Sequence, residues 1–172
     1  MNVLIGLLIF LAIVVLIGAA LKKFMLFSFT HQPIPHGEVN SPPSGSLIGS
    51  FGEYGAKILE LAAFEGYDQF FVCCTDLESD RFVQMTAGRE EDGHYTYQFD
   101  IPRFPWSEPF LEQVESSARE RGLSPYDSAG GYEDKFFDID FESADALINF
   151  SQHVVLDIFR TKLDGPFEVT WG

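Results

Sequence analysis

The chain has 172 residues, a formal charge of −15 and a mean hydropathy of +0.04. All 26 Asp and Glu follow residue 37, with nine of the 11 Lys and Arg, so residues 38–172 carry about −17. That balance argues against nucleic-acid binding, which draws on a cationic face to release condensed counterions, and no basic stripe occurs.

The first expected element is a membrane span. Residues 3–21 carry no charge, and Lys22 and Lys23 follow at once. As a helix rising ~1.5 Å per residue the run covers ~28 Å, close to the ~30 Å hydrocarbon layer of a bilayer. Fourteen of its 19 residues are Leu, Ile, Val or Phe, which together favour insertion by roughly 4 to 8 kcal/mol. A core helix of a soluble domain would keep a polar side, and this run has none. Gly18-Ala19-Ala20 offers a competing expectation, cleavage of a signal peptide that exports the rest. The missing basic stretch before the run, and its length, favour an uncleaved anchor over residues 1–23. With both lysines at its C-terminal end, the positive-inside rule places the following domain in the cytoplasm, beside the inner (plasma) membrane.

Residues 24–50 read as a juxtamembrane segment and linker. Phe24, Met25, Leu26, Phe27 and Phe29 suit the membrane interface, and Pro33, Pro35, Pro42 and Pro43 lie among glycines and serines. Residues 31–50 span roughly 25 Å as a flexible coil and up to ~60 Å if extended. An anionic leaflet repels the acidic domain within a Debye length of ~8 Å, so the domain stands off the lipid.

Residues 51–172 are expected to form one α+β domain with a single core. A helix runs from about Phe51 to Phe64, with Phe51, Tyr54, Ile58, Leu61 and Ala62 at helical spacing and Gly66 as its stop. Strands follow at Gln69 to Thr75, at Arg81 to Ala87, and at Tyr95 to Ile101, where Tyr95, Tyr97, Phe99 and Ile101 alternate strictly; Asp92-Gly93 supplies turn chemistry. These form an antiparallel meander. Pro102 and Pro105 end it, and Ser107 caps a helix with Phe110, Val114 and Ala118 on one stripe, Trp106 and Leu111 as its staple, and Gly122 as its stop. After a loop at Ser124 to Gly131, Phe137, Ile139 and Phe141 alternate with Asp138 and Asp140 as a strand with one wet face. Ser143 caps a last helix burying Leu147, Ile148, Ser151, Val154, Val155 and Ile158. Asp164-Gly165-Pro166 ends it before a short strand at Phe167, Val169 and Trp171. The order α-β-β-β-α-β-α-β implies helices packed on an antiparallel sheet.

With Arg81-Phe82-Val83-Gln84 on the second strand, an aromatic third strand and a long apolar-faced closing helix, residues 51–171 resemble the type III secretion chaperone-like superfamily, its YbjN and TY-Chap members in particular. The resemblance implies a non-enzymatic α+β module that binds another protein, commonly as a dimer. The membrane anchor departs from that pattern, because the secretion chaperones are soluble.

Catalytic, cofactor and metal signatures are not apparent. Cys73 and Cys74, adjacent on a strand, point to opposite faces and are poorly placed to bridge. His31, His36, His94 and His153 show no ligand spacing with them, and His153 reads as a structural histidine on a helix. Asp138 with Asp140 on one strand face, and Glu90-Glu91-Asp92 in a turn, are the best acid clusters. Both read more simply as solvated polar positions. No phosphate loop, dinucleotide fingerprint, nucleophile elbow or H-E-x-x-H occurs. The surplus is aromatic: 18 Phe, six Tyr and two Trp. Phe104, Trp106, Tyr132 and Phe136 lie near loops or out of phase on strands, where acid-rimmed aromatics would form a protein-binding patch. The expectation is a membrane-tethered, protein-binding, chaperone- or adaptor-like module with an unidentified protein partner, able to form a homodimer. A hydrolase or metal-dependent enzyme on the same scaffold is the alternative.

Overall fold

The structure, a computed structural model, describes residues 40–172 apart from 65, 130–134 and 163 and the side chains of 129 and 135. The expected anchor, the first part of the linker and Tyr132 lie outside the described residues. Among the described residues no helix is long and apolar enough to cross a membrane. Glu38–Gly172 forms one compact unit.

In chain order its elements are β1 (Gly45–Gly49), α1 (Phe51–Ala63), β2 (Gln69–Asp76), β3 (Phe82–Arg89), β4 (Tyr95–Pro102), α2 (Glu108–Glu120), β5 (Tyr126–Ala129), β6 (Lys135–Phe141), α3 (Ala144–His153), a π turn (Val154–Ile158) and β7 (Phe167–Trp171). The strands form one antiparallel sheet in the order β1-β7-β2-β3-β4-β6-β5. The expected α+β class, with helices on an antiparallel sheet, is therefore what the chain adopts. Two edge strands were not expected. β1 falls within the residues read as linker and owes its extension to pairing with β7, Leu47 opposite Val169. β5 falls within the loop after α2 and pairs with β6, Tyr126 opposite Asp138.

Local chemistry explains most boundaries. Ser50 precedes α1 and donates its N–H to Glu53 Oε2 at 2.9 Å, satisfying a backbone donor that the helix cannot. The period-two alternation sets the meander register, with Met85 opposite both Val72 and Phe99. Ser107 precedes α2, but its hydroxyl does not cap the helix: it donates to Pro102 O and accepts from the Phe104 N–H, tightening the loop instead. Gly122, at φ +76, ends α2 as expected. Ser143 caps α3, accepting from Ala146 N at 3.2 Å. The closing helix stops sooner than Asp164-Gly165-Pro166. It widens into the π turn, where Phe159 N–H reaches Val154 O at 2.8 Å, and Arg160 at φ +58 turns the chain away.

All three described helices contribute to one hydrophobic cluster, joined by one side-chain phase of the sheet: Phe70, Val72 and Cys74 on β2, Val83, Met85 and Ala87 on β3, and Phe99 and Ile101 on β4, for example. Phe150 of α3 meets Phe99 edge to face, with ring centroids 5.3 Å apart. Because successive strand residues point to opposite faces, the other phase forms a second face, which no described helix covers.

Candidate binding face

The uncovered face is built from the out-of-phase residues of the same strands. Its centre is polar and tightly set: Cys73 and Thr75 on β2, Gln84 on β3, Asp100 on β4 and Asp138 on β6 are all buried. Phe71 and Phe136 are half-buried in this phase, Tyr126 on the edge strand is exposed, and the Phe82 ring at the start of β3 packs on Trp106 instead. Among the described positions of this phase there are four carboxylates, Asp100, Asp138, Asp140 and Glu168, and no Lys or Arg. Asp140 and Glu168, the two that are not buried, give this phase its surface charge, with no compensating cation among its described positions.

Register creates its main feature. Asp100 lies directly opposite Asp138 across the β4–β6 pairing. Burial raises the Asp100 pKa well above the carboxylate range, and the Asp138 charge pushes it further, against hydrogen bonds from Thr86 and Gln84. Thr86 Oγ1 donates to Asp100 Oδ2 at 2.9 Å. Asp138 is 1 % exposed, its Oδ1 has no hydrogen-bond partner, and its pKa is raised to about 6. Burial is again the leading cause; the charges of Asp140 and Asp127 add to it, and the Ser128 hydroxyl and Asp100 oppose it. Two carboxyls this close in a low-dielectric setting cannot both ionise without cost, so the pair holds a proton well above the usual range.

Asp140 is different. It stays exposed and accepts from Tyr126 OH at 3.0 Å, and Tyr126 OH in turn accepts from Gln98 Nε2 at 2.9 Å. The expected wet strand face is thus wet at Asp140 and closed at Asp138. No described histidine converges on Asp138 and Asp140; Asp138 meets Asp100 across the strand pairing and the Ser128 hydroxyl. Among the described residues no group of three or more His, Cys, Asp or Glu is arranged to hold a metal ion.

The cysteines divide as their adjacency requires, Cys74 into the helical core and Cys73 onto the uncovered face, and both are free thiols. Burial pushes the Cys73 pKa up to about 12 and raises that of Cys74 as well, so neither is a thiolate near neutrality. Glu90 to Asp92 form a tight turn through Gly93 at φ +93, with Glu90 N donating to His94 O at 2.8 Å.

The expected aromatic patch is dispersed. Phe104 is half-buried in the β4–α2 loop, held by its backbone hydrogen bond to Ser107 Oγ. Trp106 is half-buried between the rings of Phe82 and Phe159, each 5.7 Å from it by centroid. Phe136 alone of the described candidates falls in the phase of the uncovered face, opposite Pro102 and Ser128. Sequence reasoning missed Asp100, although Tyr97, Phe99 and Ile101 in core phase already put Gln98 and Asp100 on the other side. It also missed Tyr126, inside a stretch with too few apolar residues to read as a strand.

Comparison with family models, with curated proteins and with solved structures finds no match.

Proposed function

We propose that the chain is a membrane-tethered binding module whose second sheet face, which no described helix covers, receives a basic polypeptide segment. The single observation behind this reading is the face itself, with Asp140 and Glu168 at its surface, no Lys or Arg among its described positions, and Phe71, Phe136 and Tyr126 beside them. Such a mixture suits a partner bearing Lys or Arg among apolar residues: the charges steer the encounter and the aromatics supply contact area. The resemblance to chaperone-like YbjN and TY-Chap modules agrees with a protein partner, and a second copy of the chain remains part of the reading. The apolar run at 3–21 tethers the module at the inner membrane, with the domain cytoplasmic.

Charge reversal separates this local claim from general electrostatics. Asp140→Lys with Glu168→Lys alters the face, whereas Glu91→Lys with Glu112→Lys makes the same change in net charge on exposed positions elsewhere. Titrated with a basic, aromatic-containing peptide, the first variant should lose at least tenfold in affinity, about 1.4 kcal/mol, and the second should change little. Equal losses in both would refute a binding site on this face.

A further inference from the structure

On the helical side of the domain, away from the acidic face, three side chains meet in a specific order. Ser117, on the inner side of α2, has its Oγ 2.8 Å from His153 Nε2 at the end of α3. His153 Nδ1 is 2.6 Å from Asp157 Oδ2, four residues on and within the π turn. Arg121, one turn beyond Ser117, donates from Nη1 to Ser117 O at 2.8 Å and also to Ser117 Oγ. Its guanidinium lies over the Phe150 ring, 5.8 Å from the centroid, which limits its freedom.

The network assigns the protons. The Asp157 carboxylate only accepts, so in the tautomer with the hydrogen on Nδ1 facing it, Nε2 accepts from the Ser117 hydroxyl, whose oxygen accepts in turn from Arg121. A hydroxyl, a base within reach of its proton and a carboxylate orienting that base are the parts of a nucleophilic serine. The guanidinium beside Oγ adds a cation where negative charge would develop. Solvent reaches the array from its Asp157 end, where the His153 and Asp157 side chains are 26 % and 58 % exposed, while Ser117 is 8 % exposed. π turns recur at functional sites, and here one carries the orienting carboxylate.

We propose that Ser117, His153 and Asp157 form a nucleophile, base and orienter that take an acyl group from a small activated ester. This goes beyond the binding reading and does not depend on it. Ser117 Oγ adds to the carbonyl carbon as its proton passes to His153 Nε2, and the carbonyl π electrons move to oxygen beside Arg121. Collapse of that oxyanion breaks the bond to the leaving alcohol, which takes the proton from Nε2. Water repeats the sequence on the acyl-serine, releasing the carboxylic acid and restoring Ser117. With Ser117 8 % exposed, only a compact ester with a good leaving group reaches its hydroxyl. The strongly negative domain disfavours an anionic one.

The test uses the full chain in detergent micelles with a fluorophosphonate probe, reading modification residue by residue by mass spectrometry. Ser116 is the internal comparator: it is exposed on the same helix and hydrogen-bonded to Glu120. Ser117 should label at least roughly 100-fold faster than Ser116, the scale of a positioned general base. His153→Gln and Asp157→Asn, with circular dichroism confirming the fold, should bring it down to the Ser116 rate, and 4-nitrophenyl acetate should acylate the unmodified chain and not Ser117→Ala. Labelling of Ser117 no faster than Ser116 in the folded wild-type chain overturns the proposal without any variant. So does fast labelling that ignores both His153→Gln and Asp157→Asn.

Discussion

Replacing Asp138 by Asn should make the domain more stable at neutral pH, because it removes a buried side chain's charge. The folded protein raises the Asp138 pKa from 3.8 to about 6. A shift of that size corresponds to a ceiling of ~3 kcal/mol at ~1.4 kcal/mol per pH unit. Water at the sheet surface and relaxation of the pair reduce this to about 1 to 2 kcal/mol. The sign follows from proton counting. Below about pH 4 folded and unfolded chains both hold the proton, and nothing is lost. Between about pH 4 and 6 the folded state holds more protons, so its stability falls as pH rises, and the full penalty is present above about pH 6. The amide cannot ionise, and its N–H can donate to Asp100, whose own pKa then falls because the Asp138 charge is one of its causes. Urea unfolding of residues 38–172, which include the described core cluster from Phe51 to Val169, measures this at about pH 4 and about pH 7.5. The variant should match the wild type in acid and exceed it by about 1 to 2 kcal/mol near neutrality. A loss near neutrality, or an equal gain at both pH values, would refute the reasoning.

Three further outcomes follow from the same structure. Leu147→Ala, at a fully buried position of α3 facing the sheet, should cost about 2 to 5 kcal/mol in urea unfolding, because α3 cannot collapse into the space left. Cys73 and Cys74 should both resist Ellman's reagent at about pH 8 in the folded chain and both react in denaturant; with a Cys73 pKa of about 12, its thiolate is on the order of one part in 10⁴ at that pH. The full chain should resist alkaline carbonate extraction from membranes, and deletion of residues 1–30 should release a folded domain; a domain that still sediments with membranes would count against the anchor.

The sequence carried the parts of this fold whose signals are local. Strict alternation from Tyr95 to Ile101 marked β4, the last strand of the meander, and Ser143 marked the start of α3 through an ordinary cap. β1 was hidden because Gly45, Ser46 and Gly49 look like linker; only pairing with β7, over 120 residues away, makes them a strand. β5 offers one large apolar residue, Tyr126, and depends in the same way on β6. Alternation told which face Asp138 occupies but not how deep it lies, since depth comes from the neighbouring strands. The Ser117–His153–Asp157 array joins positions 36 residues apart. Its one local sign is the four-residue spacing of His153 and Asp157, which many surface helices share.

The central claim is that the uncovered sheet face, not the helical side, is where a basic partner docks. Backbone amide chemical-shift mapping of residues 38–172 against a basic, aromatic-containing peptide tests it directly. The account predicts shifts concentrated on β3, β4 and β6 around Gln84, Asp100 and Asp140, weakening as salt rises. Shifts confined to α1 and α2 with the strands unchanged would contradict it.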